Sequence, residues 1–560
     1  MKKISFKANK SIIAIIVAAV CLAILWTMCP IMYQNNDDKY LLYMMAGYTT
    51  GAPALETVFG GFLWPLIISS LYKVCSGVTW YTLLSLMVIV LSLIMIVRSF
   101  IVSDDIKDII FEILFAIGVF IGFLAYFMSA LQYTMTAAYV GAAGVCALIV
   151  SLFNEKEKHS RTFFIISACF LIFAYSIRKQ MGLVTISCYA FILLYAFLKN
   201  QDKKVFKRAV LILLVFSVTF LSNKIYENVS GITEFNKYYS VIQRWIDYPH
   251  IDIAEDSSVY DSVGWDKEMY DAATEWFFLD ERVSTENVSL INEASANREF
   301  TIKERIVNAK NILLNKQIVN VQVVLWFFVL LSMNVALLRK KGYKEIITLD
   351  LIFGFFVIAS MYFCMYEGRF PLRVYQGMVL VYAVPSFALM MHSIREYELI
   401  TQKYILGIIP LLLLLYFYKC VPTWSMVNEL KQITHDGSRK EMIAAVESVE
   451  KYACEHRDNL YIYDYDLSQP AAPFVNYVDE RPYNAMFWGG WTFNSPVYHK
   501  QLSANNMDSL EPKDLINSNV YLCGKSYDEV LYRYMQSVYG DVEIENVDMI
   551  GDVIVYRYVM

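Results

Sequence analysis

The sequence predicts an α-helical polytopic membrane protein with about 11 transmembrane helices and a C-terminal extracytoplasmic α/β domain. Three observations carry that prediction. Of 560 residues, 57% are hydrophobic and 18% charged, at a mean hydropathy of +0.41, more apolar than a soluble core requires. The apolar residues gather in runs long enough to cross a hydrocarbon layer about 30 Å thick. Lysine and arginine in most of the short loops between those runs sort to one side, which orients the chain.

The elements follow in order. Lys2, Lys3, Lys7 and Lys10 precede an apolar stretch from Ile12 to Met32. No A-x-A site follows it, and neither Val20-Cys21 nor Met28-Cys29 offers the small residue of a lipoprotein cleavage site, so a retained helix is expected rather than a signal peptide. Further spans are expected near 80–97, 108–128, 135–153, 163–177, 182–198, 209–224, 318–338, 346–366, 374–391 and 404–420. The half-apolar stretch Gly60 to Tyr72, interrupted by Pro65, is expected to lie along the interface. Lys156, Lys158 and Arg161, then Lys199, Lys203, Lys204, Lys207 and Arg208, then Arg339, Lys340, Lys341 and Lys344 share the side of the N-terminal lysines. The positive-inside rule makes that side cytoplasmic, and an odd number of spans puts the C-terminal domain outside, in a plasma-membrane protein.

Two regions result: 1–420, a membrane domain with large outward loops 33–79 and 225–317, and 421–560, the extracytoplasmic domain. Loop 225–317 is acidic and aromatic, with a helix start at Asp266-Lys-Glu-Met-Tyr-Asp and Trp265 and Trp276 one face apart. The C-terminal region reads as a helix over 438–455, strands at 459–465 and 519–523, a helix over 526–538 and closing strands within 543–558.

Several function classes are disfavoured. A net charge of −5 argues against a nucleic-acid partner. The six histidines form no HxH or HExxH, and the ten cysteines form no CxxC. No Walker motif and no GxGxxG after a strand is found, so no nucleotide cofactor is indicated and a nucleotide-sugar donor is disfavoured.

Chemistry concentrates at two places. Asn35-Asn36-Asp37-Asp38-Lys39-Tyr40 sets two carboxylates at the outer end of the first helix. A carboxylate held near hydrocarbon is poorly solvated and gains basicity, which suits removal of a proton from a hydroxyl nucleophile. The same pair, Asp37 and Asp38, leaves a divalent cation open, and a solvated acidic loop is the plain alternative. Glu56 in the same loop is a candidate second acid. The other place is a pair of short outward loops that carry Arg178 and Lys179, and Arg369 and Arg373, against the orientation rule. Guanidinium forks bind phosphate oxygens bidentately, whereas snorkelling or pairing with Glu367 or the Asp37 and Asp38 carboxylates would explain the charges without a ligand. Trp488 and Trp491, among glycines, are candidates to face an acceptor glycan or to form an aromatic core. The stretches from Gln243 to Tyr248 and from Trp276 to Arg282 mix acids, arginines and aromatics, and are expected to pack on neighbours.

The acid pair in the first outward loop, the helix count and the outward C-terminal domain together resemble the GT-C superfamily of membrane glycosyltransferases, over about 1–420. The resemblance implies a polyprenyl-phosphate sugar donor and a catalytic carboxylate in the first outward loop, here Asp37 or Asp38. It implies transfer to a cell-envelope glycan or glycolipid, with or without a metal. The rival readings are a lipid-linked glycan transporter, a polysaccharide polymerase or ligase, and a non-enzymatic envelope protein.

Overall fold

The computed structural model describes residues 9–153, 159–296, 301–399, 437–464, 467, 472–476 and 480–560. Among these are ten helices long and apolar enough to cross a membrane: Lys10–Met28, Trp80–Phe100, Ile106–Ser129, Tyr133–Phe153, Ser160–Ile177, Lys179–Lys199, Lys203–Val229, Val319–Arg339, Tyr343–Glu367 and Leu372–Glu396. They match the first ten expected spans; the eleventh, 404–420, lies outside the described residues. The chain is a multi-pass membrane protein.

The centre of the bundle is Tyr133–Phe153, whose alanines and glycines let neighbours approach closely. A Cβ on Gly141 would stand 2.2 Å from Thr185 Oγ1, so the contact with the Lys179–Lys199 helix depends on a bare backbone there. Leu372–Glu396 is equally enclosed, while Lys203–Val229 presents Leu211, Leu214, Val218 and Leu221 outward, as a helix facing lipid does. Gly60 to Tyr72 does not cross. It holds a 12-residue helix, Leu63–Val74, about 18 Å long and so too short to span. Pro65 falls in its first turn, where a missing N–H costs nothing, and Trp64, Ile68 and Tyr72 are buried.

The basic loops meet at one end of the bundle. Lys10 Nζ pairs with Asp104 at 2.9 Å, and Arg395 reaches the same carboxylate at 3.1 Å. The neighbouring Glu396, with Glu345, receives Lys199. Loops 33–79 and 225–317 and the C-terminal domain gather at the opposite end, as shown by contacts such as Tyr48 with Asn476 and Phe59 with Trp491.

Loop 225–317 is helical, with Ile232–Asp247, Ser257–Asp261, Lys267–Thr274, Thr285–Ala296 and Ile302–Leu314. The expected start at Asp266 is found, its carboxylate accepting the Met269 N–H at 2.8 Å as an N-cap. Two residue pairs form a small parallel bridge, Met32–Tyr33 (β1) and Ala130–Leu131 (β2). The C-terminal region adds a helix, Gly437–Glu455, and a five-stranded sheet of Leu460–Tyr463 (β3), Ala485–Phe487 (β4), Val520–Gly524 (β5), Glu543–Ile550 (β6) and Val553–Val559 (β7). The order is β4-β3-β5-β7-β6, with β3 parallel to β4 and β5, and β7 antiparallel to β5 and β6. The expected strands and the helix Glu529–Tyr539 are present; β4 and the helix Pro496–Ala504 are additions.

Loop 225–317 and the C-terminal domain share one hydrophobic core. Trp245, Trp265 and Phe277 from the loop pack with Leu460, Trp488 and Tyr534 from the C-terminal domain, and the Tyr534 hydroxyl donates to Asp280, which Arg282 also holds at 2.7 Å. Trp265 and Trp276 therefore diverge, Trp265 into this core and Trp276 to a cavity wall.

Candidate active site

Where these regions meet the bundle lies a cavity of about 480 Å³. Its polar wall starts with the helix Asp37–Ala46, whose N-terminus offers unpaired N–H groups and a positive dipole end to its first residues, Asp37 and Asp38. Asp37 lines the cavity, accepting from Asn35 Nδ2 at 3.0 Å, with Arg373 Nη2 at 3.6 Å. Asp38 is turned away and 2% exposed; one oxygen accepts the Tyr81 hydroxyl at 2.7 Å, the other the Tyr133 N–H at 3.2 Å. Burial pushes its pKa up to about 8, with the neighbouring Asp37 charge adding to the rise and these hydrogen bonds opposing it.

Three guanidiniums share that cavity. Arg178 occupies the extended link between Ser160–Ile177 and the next helix. Its guanidinium lies over the rings of Phe59, at 4.7 Å, and Tyr133, at 5.0 Å, and donates to the Tyr133 hydroxyl. Arg369 follows a π-helical turn, Phe363–Glu367, and Gly368 with φ +66°; it pairs with Asp247 at 2.6 Å. Arg373 sits in the first turn of Leu372–Glu396. Asp37 and Asp247 are the charged partners, so the lining carries three positive and two negative groups.

The third wall is the amphipathic helix Ile232–Asp247. Tyr239, Gln243 and Asp247, four residues apart, lie along one face and line the cavity, whereas Ile242 and Trp245 are buried. Tyr40, Phe59, Trp276 and Trp491 add aromatic surface. On the membrane side the lining becomes apolar: Met181 and Val184 from one membrane-length helix, Val374 and Met378 from another.

Set against the sequence reading, Asp37, Arg178, Arg369, Arg373 and Trp491 come together. Four candidates do not. Lys179 points instead to Glu227, at 2.7 Å, and the Val58 carbonyl, because it opens a helix one residue after Arg178 and so leaves the other way. Glu56 forms an ion pair with Lys500 at 2.7 Å outside the lining. Trp488 is 1% exposed against Phe277, in the shared core. Asp38 is held by Tyr81 and the Tyr133 N–H. Conversely, Gln243, Asp247, Tyr248 and Trp276 line the cavity where packing alone was expected, although Trp245 beside them does pack. The i, i+4, i+8 spacing of Tyr239, Gln243 and Asp247 is the signal that would have found this wall.

Among the described residues no three of His, Cys, Asp and Glu gather as metal ligands, and both carboxylates on the cavity wall already face arginines. A cavity with surplus guanidinium, one carboxylate at a helix N-terminus and an apolar wall between membrane helices can hold a phosphate with an attached lipid chain beside a base.

No family model matches the chain, and no curated protein matches it. Two solved structures are similar to it, each covering 97% of both chains at 10% identity: ArnT from Cupriavidus metallidurans in the apo state, with a TM-score of 0.44, and the same protein bound to undecaprenyl phosphate, with a TM-score of 0.36.

Proposed function

We propose that this chain is a membrane glycosyltransferase of GT-C type that transfers a sugar from a polyprenyl-phosphate donor to a glycan or glycolipid of the cell envelope. The reaction would take place on the outer face, with the N-terminus cytoplasmic. The observation that carries the reading is the meeting of Asp37 with Arg178, Arg369 and Arg373 in one cavity whose far wall is apolar. In this proposal the Asp37 carboxylate takes the proton of an acceptor hydroxyl. The hydroxyl oxygen forms the new bond to the anomeric carbon, the bond from that carbon to the phosphate oxygen breaks, and the electron pair leaves with the phosphate onto the guanidiniums. The phosphate is positioned by charge, the lipid by Met181, Val184, Val374 and Met378, and the acceptor sugar by Trp491, Trp276 and Gln243. No step passes through a cation, and transfer is expected to persist in a chelator.

Asp37→Asn tests the reading. Surface glycan made in cells that depend on this gene should fall with a rate loss of about 10²- to 10⁴-fold. Binding of polyprenyl phosphate to the purified variant should be retained. A well-expressed Asp37→Asn variant that supports undiminished glycan would remove the catalytic assignment.

A further inference from the structure

A second, smaller recess lies behind the main cavity and shares Tyr40, Phe487 and Thr492 with its wall. Its volume is about 30 Å³, room for one or two water-sized groups. Lys39, two residues after Asp37, lines it; the side chain is 2% exposed and its Nζ has no hydrogen-bond partner. The rings of Tyr43 and Tyr463 flank the ammonium at 5.4 Å each. Two further lining groups are buried without a partner: the hydroxyls of Thr49, 8% exposed, and Tyr498, 5% exposed.

Glu450 is the nearest counter-charge and is itself fully buried, but its oxygens accept the hydroxyls of Tyr43, at 2.9 Å, and Tyr463, at 3.0 Å. A buried ammonium is costly unless an acceptor stands directly against it, and burial accordingly lowers the Lys39 pKa. Water would satisfy one donor but add no charge to that of Glu450, which opposes the fall in the Lys39 pKa and which two tyrosine hydroxyls already share. A small anion in the recess would face the ammonium and both hydroxyls, all of which line it.

We propose that this recess is a binding site for a small monovalent anion of the halide class, held by Lys39, Thr49 and Tyr498. The helix Asp37–Ala46 supplies Lys39, and the C-terminal domain supplies Tyr498 and Tyr463, so the ion ties that helix to the domain. The inference is independent of the transfer reaction, because it concerns a separate recess and is read by binding alone.

Thermal unfolding of the purified full-length protein decides it. Sodium chloride or bromide is titrated against sodium gluconate at constant ionic strength. The Tm should rise and saturate with either halide but not with gluconate. The rise should vanish in Lys39→Met and persist in Arg178→Ala, which removes a cation from the main cavity instead. No halide-specific rise in the wild type, a rise that survives Lys39→Met, or one that disappears only in Arg178→Ala would overturn the proposal. If Lys39→Met does not yield folded protein, the Thr49→Val, Tyr498→Phe double variant decides: a halide midpoint shifted to higher concentration supports the site, and an unchanged midpoint overturns it.

Discussion

Replacing Asp38 by asparagine should flatten the pH dependence of stability. The Asp38 carboxyl is 2% exposed, and burial raises its pKa to about 8, against about 3.9 in an unfolded chain. The folded protein thus keeps a proton that the unfolded chain has lost across that interval. The sign follows: the contribution of this group is complete below about pH 4 and is lost as pH rises toward 8, at about 1.4 kcal/mol per pH unit. With an unfolding entropy of about 2.1 cal/mol/K per residue, roughly 1.2 kcal/mol/K for a chain of this length, the Tm should fall by about 1 °C per pH unit from this group alone, or about 3 °C from pH 5 to 8. An amide reproduces the neutral carboxyl: its oxygen accepts the Tyr133 N–H while its NH₂ donates to the Tyr81 hydroxyl, and it does not titrate. The assay is tryptophan fluorescence on heating, wild type beside Asp38→Asn, at pH 5, 6, 7 and 8 in one detergent. The variant should gain on the wild type steadily as pH rises. Parallel curves, or a variant that loses ground with pH, would refute a buried neutral Asp38.

Three other outcomes are expected. Arg178→Ala should weaken polyprenyl-phosphate binding about tenfold or more, since a hydrogen bond to a charged group is worth about 1.5–3 kcal/mol; affinity measured in lipid nanodiscs checks it. In Gly489→Ala the new methyl would stand 1.6 Å from the Trp276 carbonyl oxygen, which is backbone and cannot rotate away. The segment bearing Trp491 must then lift from the loop, and limited proteolysis should cut the C-terminal domain faster than in the wild type. Glu56→Gln or Lys500→Ala should change stability by no more than about 1 kcal/mol and leave lipid-phosphate affinity unaltered, because their ion pair is half in solvent and outside the cavity.

What could be read from the sequence was set by length and period. A run of twenty apolar residues has few alternatives to a membrane helix, and so ten expected spans recur, with ends shifted by up to six residues. Strands β3, β5, β6 and β7 alternate or run apolar for four residues or more and were legible for the same reason. β4 has only three residues, between Asn484 and Trp488, too few to show any period; it is a strand because β3 offers it an edge. The cavity's arginines stood out because they break the charge rule expected of the loops that carry them. Its Gln243 and Asp247 did not, since an amphipathic helix in an acidic loop has ordinary reasons to carry them.

Two of the candidates that lie outside the cavity, Asp38 and Lys179, share a cause. Asp37 and Asp38, and Arg178 and Lys179, are adjacent pairs read as single features. Each pair stands at a helix start, where successive side chains diverge by about 100°. One member of each reaches the cavity; the other is driven toward the bundle and must find a partner there, Tyr81 for Asp38 and Glu227 for Lys179. The rotation also explains why Lys39, one residue further on, meets neither set and ends in a recess of its own. A doubled charge at a membrane boundary is therefore best read as one ligand and one anchor. Burial raises the pKa of one such anchor, Asp38. A single base backed by guanidiniums needs only Asp37 on the cavity wall, because Asp38 is turned away from it toward Tyr81.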